Sequence, residues 1–180
     1  MRSRSPLVST EMTIPEIPRR LRQRPRTPAG LPIPYLVVTL PDGRPDFRTS
    51  DPERWLTVCR RRLCALCGQP LNRSGGWFIG GAKSITLRTF TDPPMHRECA
   101  EFALRTCPFL AMPKAHFSDP ERRPPPEGHV IVPIVDTARP DRFGLGRAAS
   151  WRIAILQGVT LIIANPWLEL HWWRDGEQIS

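Results

Sequence analysis

Cys64-Ala65-Leu66-Cys67-Gly68 and His96-Arg97-Glu98-Cys99 supply two pairs of soft metal ligands, each spaced i to i+3, with a 28-residue insert between Cys67 and His96. Zinc takes four nitrogen or sulfur ligands in a tetrahedron. A Cys-x2-Cys turn offers two thiolates from one tight loop, and Gly68 is the small residue expected where the chain turns away with positive φ. Pro93-Pro94 stops any strand, and residues 95–106 read as a helix. His96 and Cys99 then lie one turn apart on one helical face, in its first turn. The positive end of the helix dipole favours a thiolate there. Within the insert, Trp77-Phe78-Ile79 and residues 84–90 read as two short strands around Gly80-Gly81. Knuckle, hairpin and ligand-bearing helix is the order of a treble-clef zinc finger.

The expectation is one structural Zn²⁺ per chain, held by Cys64, Cys67, His96 and Cys99. Four protein ligands close the site, whereas catalytic zinc keeps a position for water. The competing reading makes the cysteines small buried apolar residues and His96 a surface histidine. A second ligand pair at a suitable distance argues against coincidence. Five cysteines is an odd number, and no signal segment points to an oxidising compartment, which disfavours a disulfide framework. Cys107 lies eight residues past Cys99, about 12 Å along a helix axis, and reads as buried packing. Whether it replaces one of the four ligands is left open.

The chain has 180 residues, with 40% hydrophobic content, enough for a modest core. The fold class expected is α+β: a small zinc-stapled domain with additional short antiparallel strands and a disordered basic N-terminal arm. Residues 1–30 form the Arg/Pro-rich arm. Residues 31–180 form a single zinc-binding domain, with its zinc finger core at 62–110 and a β-rich part at 129–175. Net charge is +9 and the sequence pI is about 10.5, which suits a nucleic-acid partner. The basic residues are 24 Arg and only 2 Lys, beside 22 Pro, a bias that a GC-rich genome also produces without selection for a ligand. No apolar run reaches the 18 residues of a membrane span. The N-terminus has no apolar signal region, so a cytoplasmic location is expected, which also suits reduced thiols.

Along the chain, the arm carries seven arginines (2, 4, 19, 20, 22, 24 and 26) against Glu11 and Glu16. It reads as an unfolded, solvated tail or a sequence-blind phosphate contact. Residues 35–40 read as a strand, Pro41-Asp42-Gly43 as a turn, and Asp46-Phe47-Arg48 as its partner. Ser50-Asp51-Pro52-Glu53 is a helix start, with a capping side chain, Pro at the first helical position and an acid in the first turn. That helix runs to about Arg62, with Trp55, Leu56 and Cys59 on its core side. Arg60, Arg61 and Arg62, against the knuckle, could touch phosphate or serve the negative end of the helix dipole. Together with Arg73 and Arg88 they are the candidate nucleic-acid contacts. Pro108 ends the second helix. Residues 113–128 read as an exposed Pro-rich loop, 129–135 as a strand and 138–150 as a polar connection. Residues 151–156 and 159–164 read as a hairpin and 167–173 as a further strand, closed by Arg174-Asp175-Gly176. Trp167, Trp172 and Trp173 read as core sealing in preference to base-stacking platforms.

The motifs Leu31-Pro32-Ile33-Pro34-Tyr35, Asp42-Gly43-Arg44-Pro45-Asp46-Phe47-Arg48, Arg62-Leu63-Cys64-Ala65-Leu66-Cys67-Gly68-Gln69-Pro70-Leu71, Pro93-Pro94-Met95-His96-Arg97-Glu98-Cys99-Ala100 and Cys107-Pro108-Phe109-Leu110 carry a resemblance. With weaker echoes at Gly158-Val159-Thr160-Leu161, Trp172 and Gly176, the chain resembles a family of small uncharacterised zinc-binding proteins of bacteria and their phages. The resemblance spans roughly residues 31–176 and implies a metal-binding domain, without an activity. Similar proteins often carry a further Cys after an Ile-Gly pair, where this chain reads Ile79-Gly80-Gly81-Ala82-Lys83.

Three functions are weighed. The leading one is a zinc-stabilised accessory protein that binds DNA or RNA or acts in regulation. The alternative is a protein–protein adaptor of bacterial or phage origin, in which zinc only holds a surface. The third is a treble-clef metallonuclease, which needs a second, catalytic metal site. His116, His129 and His171 stand alone without an acidic cluster at ligand spacing, which argues against that enzyme.

Overall fold

The computed structural model describes residues 14–73, 75–112, 139–156 and 158–180. Residues 1–13 of the arm, the loop at 113–128 and the strand expected at 129–135 lie outside the described residues. The described chain is mixed helix and strand, with three antiparallel sheets.

The first unit is the expected hairpin. Strand β1 (Val37–Thr39) pairs antiparallel with β2 (Pro45–Ser50). Helix α1 (Pro52–Arg61) follows at once. Its Asp51 cap accepts hydrogen bonds from the backbone N–H groups of Glu53 and Arg54, both at 3.0 Å, satisfying donors that no helical carbonyl reaches. Trp55, Val58 and Cys59 are its buried face. Leu56, expected among them, is 41% exposed, because the helical period carries it round to solvent.

The insert departs from the expected hairpin. Strand β3 (Gly76–Gly81) is present, but residues 82–87 form a short helix, α2 (Ala82–Leu87), and only β4 (Thr89–Phe90) remains extended. An alternating strand would bury Ile85 and Leu87 together, yet Ile85 is buried while Leu87 is 59% exposed. The helical turn reverses the chain so that Phe90 returns against Phe78, their ring centroids 5.0 Å apart. β3 and β4 enter different sheets, so the treble-clef hairpin is not formed between them.

The partner of β3 is β5 (Phe143–Ala148), in the segment expected to be a polar connection. Its glycines suggested a loop, but they serve close packing. A Cβ on Gly144 would meet Ile85 at 2.5 Å, and one on Gly146 would meet the Trp167 indole at 2.6 Å. β5 also pairs with β8 (Trp167–Arg174), which turns through Asp175 and Gly176 into β9 (Glu177–Ile179), giving the order β3-β5-β8-β9. The expected hairpin of β6 (Trp151–Leu156) and β7 (Val159–Ala164) is present, and β4 adds to it in the order β4-β7-β6. Helix α3 (Arg97–Thr106) ends at Cys107, and Pro108 opens the short α4 (Pro108–Ala111).

The arm needs correction from residue 14 onward. Leu21 is buried, and Ile14 and Ile17 pack against the core. Arg20 bonds Glu98 at 2.8 Å and Gln69 at 3.0 Å. Arginines read as a solvated charge run thus act as hydrogen-bond donors that fasten the segment down.

Phe78 lies at the centre, 1% exposed and in contact with the rings of Phe90, Trp151 and Trp167. Trp173 is buried, and Trp167 donates from Nε1 to the Ile85 carbonyl at 3.1 Å, so these indoles seal the core. Phe78→Ala is expected to cost about 3–5 kcal/mol, read as a lower midpoint in urea denaturation.

Candidate metal centre

The knuckle is built by backbone bonds before any metal is considered. Cys64 donates its N–H to the Gln69 carbonyl and accepts at its own carbonyl from Gly68, both at 2.8 Å. Gly68 takes φ +75°, and a Cβ there would strike the Tyr35 ring at 2.7 Å. Glycine is required twice over, by conformation and by space. Tyr35 and Leu36 donate to the Leu66 and Ala65 carbonyls at 2.8 and 3.2 Å, and Ala65 donates to Pro94 at 3.1 Å. The ligand-bearing segments are therefore laced together through their main chains.

His96 enters differently from expectation. It is the residue that caps α3, in extended conformation, with Met95 paired to Trp77 just before it. Only Cys99 lies in the first helical turn. The ligand atoms of Cys64, Cys67, His96 and Cys99 all lie within 4.8 Å of one another, and all four residues are buried. This group could hold one metal ion. Cys107 is not part of it.

The donor set fits a tetrahedral ion. Bonds of about 2.3 Å to sulfur and 2.0 Å to nitrogen would put neighbouring ligand atoms about 3.5–3.8 Å apart. Cys67 Sγ lies 3.3 Å from His96 Nδ1. On its other side, His96 Nε2 donates to the Pro70 carbonyl at 2.9 Å. A carbonyl can only accept, so Nε2 carries the proton and Nδ1 faces the sulfurs, the outer-sphere support usual for a ligating histidine. The backbone N–H of His96 also donates to Cys64 Sγ at 3.4 Å, at the positive end of α3.

Electrostatics within the group is lopsided. Burial pushes the Cys64 thiol up, but hydrogen bonds from Cys67, Cys99 and His96 outweigh it and hold Cys64 well below the ordinary thiol range. Burial pulls His96 down, but its contacts with Cys64 and Cys67 raise it to about 10. Hydrogen bonds to Cys64 and Cys67 drive Cys99 strongly upward. Within the group, a proton is thus disfavoured on Cys64 and favoured on His96 and Cys99. The remaining thiols stand apart: burial raises Cys59 to about 12 and Cys107 upward as well, as expected of packing cysteines.

The candidate nucleic-acid contacts flank the knuckle in sequence, apart from Arg88, which precedes β4. Arg60, Arg61, Arg62, Arg73 and Arg88 are all exposed. Arg62 ends α1 in the left-handed region and lies over the Trp151 ring, 4.0 Å from its centroid. Trp151 pairs with Ala164, whose N–H donates to the carbonyl of Arg88, so Arg62 and Arg88 meet the same end of the β6–β7 hairpin. None of the five has a carboxylate partner among the described residues, whereas Arg48, Arg97, Arg139 and Arg147 are all ion-paired. Arg152, which the sequence reading did not single out, is likewise exposed, on β6 opposite Ile163.

Metal binding is expected to displace the His96 Nδ1 proton and the Cys99 thiol proton, so at least two protons leave per ion at pH 7. Calorimetric titration in buffers of different ionisation enthalpy counts them. Metal binding is therefore expected to weaken as pH falls, because Cys64, Cys99 and His96 then hold protons that compete with the ion. Comparison with protein-family models, with curated proteins and with solved structures returns no match to this chain.

Proposed function

We propose that this is a zinc-stapled basic domain that binds nucleic acid, DNA or RNA, through its phosphates. The metal is structural: four protein ligands leave no position for water, and three thiolates with one imidazole suit zinc. The observation that carries the nucleic-acid reading is the division among the arginines. Several are ion-paired, while Arg60, Arg61, Arg62, Arg73, Arg88 and Arg152 face solvent without a carboxylate partner among the described residues. Guanidiniums without a counter-carboxylate, on a chain of net charge +9, favour a polyanion, because each phosphate contact releases condensed counterions. Among the described residues no helix is long and apolar enough to cross a membrane.

A second reading, the protein adaptor, draws on another surface. The tip of the β6–β7 hairpin exposes Ile155 at 75% and Leu156 at 62%. Such residues at the end of an edge strand favour a protein contact. Ile155→Ser, which removes the apolar contact without adding charge, separates the two readings: it leaves nucleic-acid affinity unchanged if the arginines carry the function.

The purified protein is expected to hold one zinc per chain by elemental analysis. Complete chelation should abolish its cooperative thermal transition, because metal affinity is folding energy here; an unchanged melt removes the structural role. Binding to mixed-sequence DNA or RNA is expected to weaken steeply between low and moderate salt. Arg60→Ala with Arg61→Ala should reduce the slope of log K against log salt by about two. No binding at low salt defeats the reading.

A further inference from the structure

A cavity of about 450 Å³ opens beside the metal knuckle, between the segment at 24–35 and the β1–β2 hairpin. Ile33, Tyr35, Val37 and Thr39 form part of its wall, and two guanidiniums, Arg24 and Arg54, line it as well. Both lie against the same ring, each guanidinium carbon 5.5 Å from the Tyr35 centroid. Both are fixed from behind by main-chain carbonyls. Arg24 Nε donates to Ile33 at 3.0 Å, and Arg54 Nη1 donates to Tyr35 at 3.0 Å and to Val37 at 3.3 Å.

Carbonyls orient these groups without neutralising them. Among the described residues Arg24 has no carboxylate partner. Arg54 has Asp51 at 3.6 Å, and that carboxylate already caps α1 through Oδ1. Burial first, and the charge of Arg54 second, pull Arg24 below the usual guanidinium range. Two cations thus line one partly enclosed, partly apolar space with little counter-charge among the described residues, and like charges so placed are held at a cost unless an anion joins them.

We propose that this cavity is a phosphate site, in which one phosphate group bridges Arg24 and Arg54. A tetrahedral dianion offers enough acceptors for two guanidinium forks, and its charge matches theirs, which a single carboxylate does not. The volume is at the lower end of small-molecule sites, about 300–1,000 Å³, so there is room for the phosphate of a nucleotide or of a nucleic-acid end. Rigid placement lowers the ordering cost of binding. Tyr35 links the site to the metal knuckle, since its N–H bonds Leu66 and its ring occupies the space beside Gly68. The site is separate from the exposed arginines around Trp151. Phosphate binding here without polymer binding would refute the function proposed above and leave this inference standing.

The test is titration of inorganic phosphate into the metal-loaded full chain by calorimetry, against potassium chloride at equal ionic strength. Saturable binding is expected, weakened at least about tenfold in Arg24→Gln. Thr39→Glu gives an independent arm. It places a carboxylate at the exposed mouth, leaves both arginines and their carbonyl bonds in place, and is expected to weaken binding by a similar factor. No saturable binding at up to about 50 mM phosphate, or equal binding by Thr39→Glu, overturns the proposal. Trinucleotides with and without a 5′-phosphate identify the source. Preference for the phosphorylated form, lost in Thr39→Glu, assigns a terminal monoester; equal binding of both, likewise lost, assigns an internal diester.

Discussion

Three sulfurs and an imidazole are buried within 4.8 Å of one another, a group that could hold one metal ion at its centre. The lacing around it makes this constraint global. One pair of ligands comes from the knuckle after α1, the other from the cap and first turn of α3. The N-terminal segment crosses over both, with Arg20 reaching Gln69 and Glu98. Tyr35 and Leu36 add the β1–β2 unit through the backbone of the knuckle. An ion held there would tie these attachments to one point.

The aromatic core is the second organising element, and it is joined to the first by a short path. Met95 pairs with Trp77 in β3, and Phe78 is the next residue. On the same side, Arg62 leaves the knuckle to cover Trp151, itself in contact with Phe78. Metal centre and hydrophobic core are thus neighbours along both chain and surface. A domain with a modest apolar content gains from such coupling, because its core alone supplies little margin.

The grouping of Cys64, Cys67, His96 and Cys99 was legible in the sequence because metal coordination demands specific residue types at specific spacings. The capped helix α1 and the β6–β7 hairpin were legible for a similar reason: Asp51-Pro52 and Gln157-Gly158 are local signals with local causes. What was missed depends on distant partners. Gly144 and Gly146 signal a loop when read locally, yet they are glycines because Ile85 and Trp167 press against β5. Residues 84–90 carry strand-forming types, but the need to return Phe90 to Phe78 imposes a helical turn. The arm from residue 14 onward looked solvated because arginine was counted as charge, while the fold uses it as a donor to carbonyls.

The topology also sets an order of assembly. All four ligands fall between residues 64 and 99, but the strand that completes the central sheet comes from Phe143–Ala148. A chain emerging from the ribosome therefore exposes a full ligand set well before β3 can meet β5. Local closure around an ion costs less chain entropy than pairing strands so far apart. Metal capture during synthesis would fix β3 in place and keep its apolar face waiting for a single late partner. Metal supply would then govern how much of the protein survives its own synthesis, as well as how stable it is afterwards.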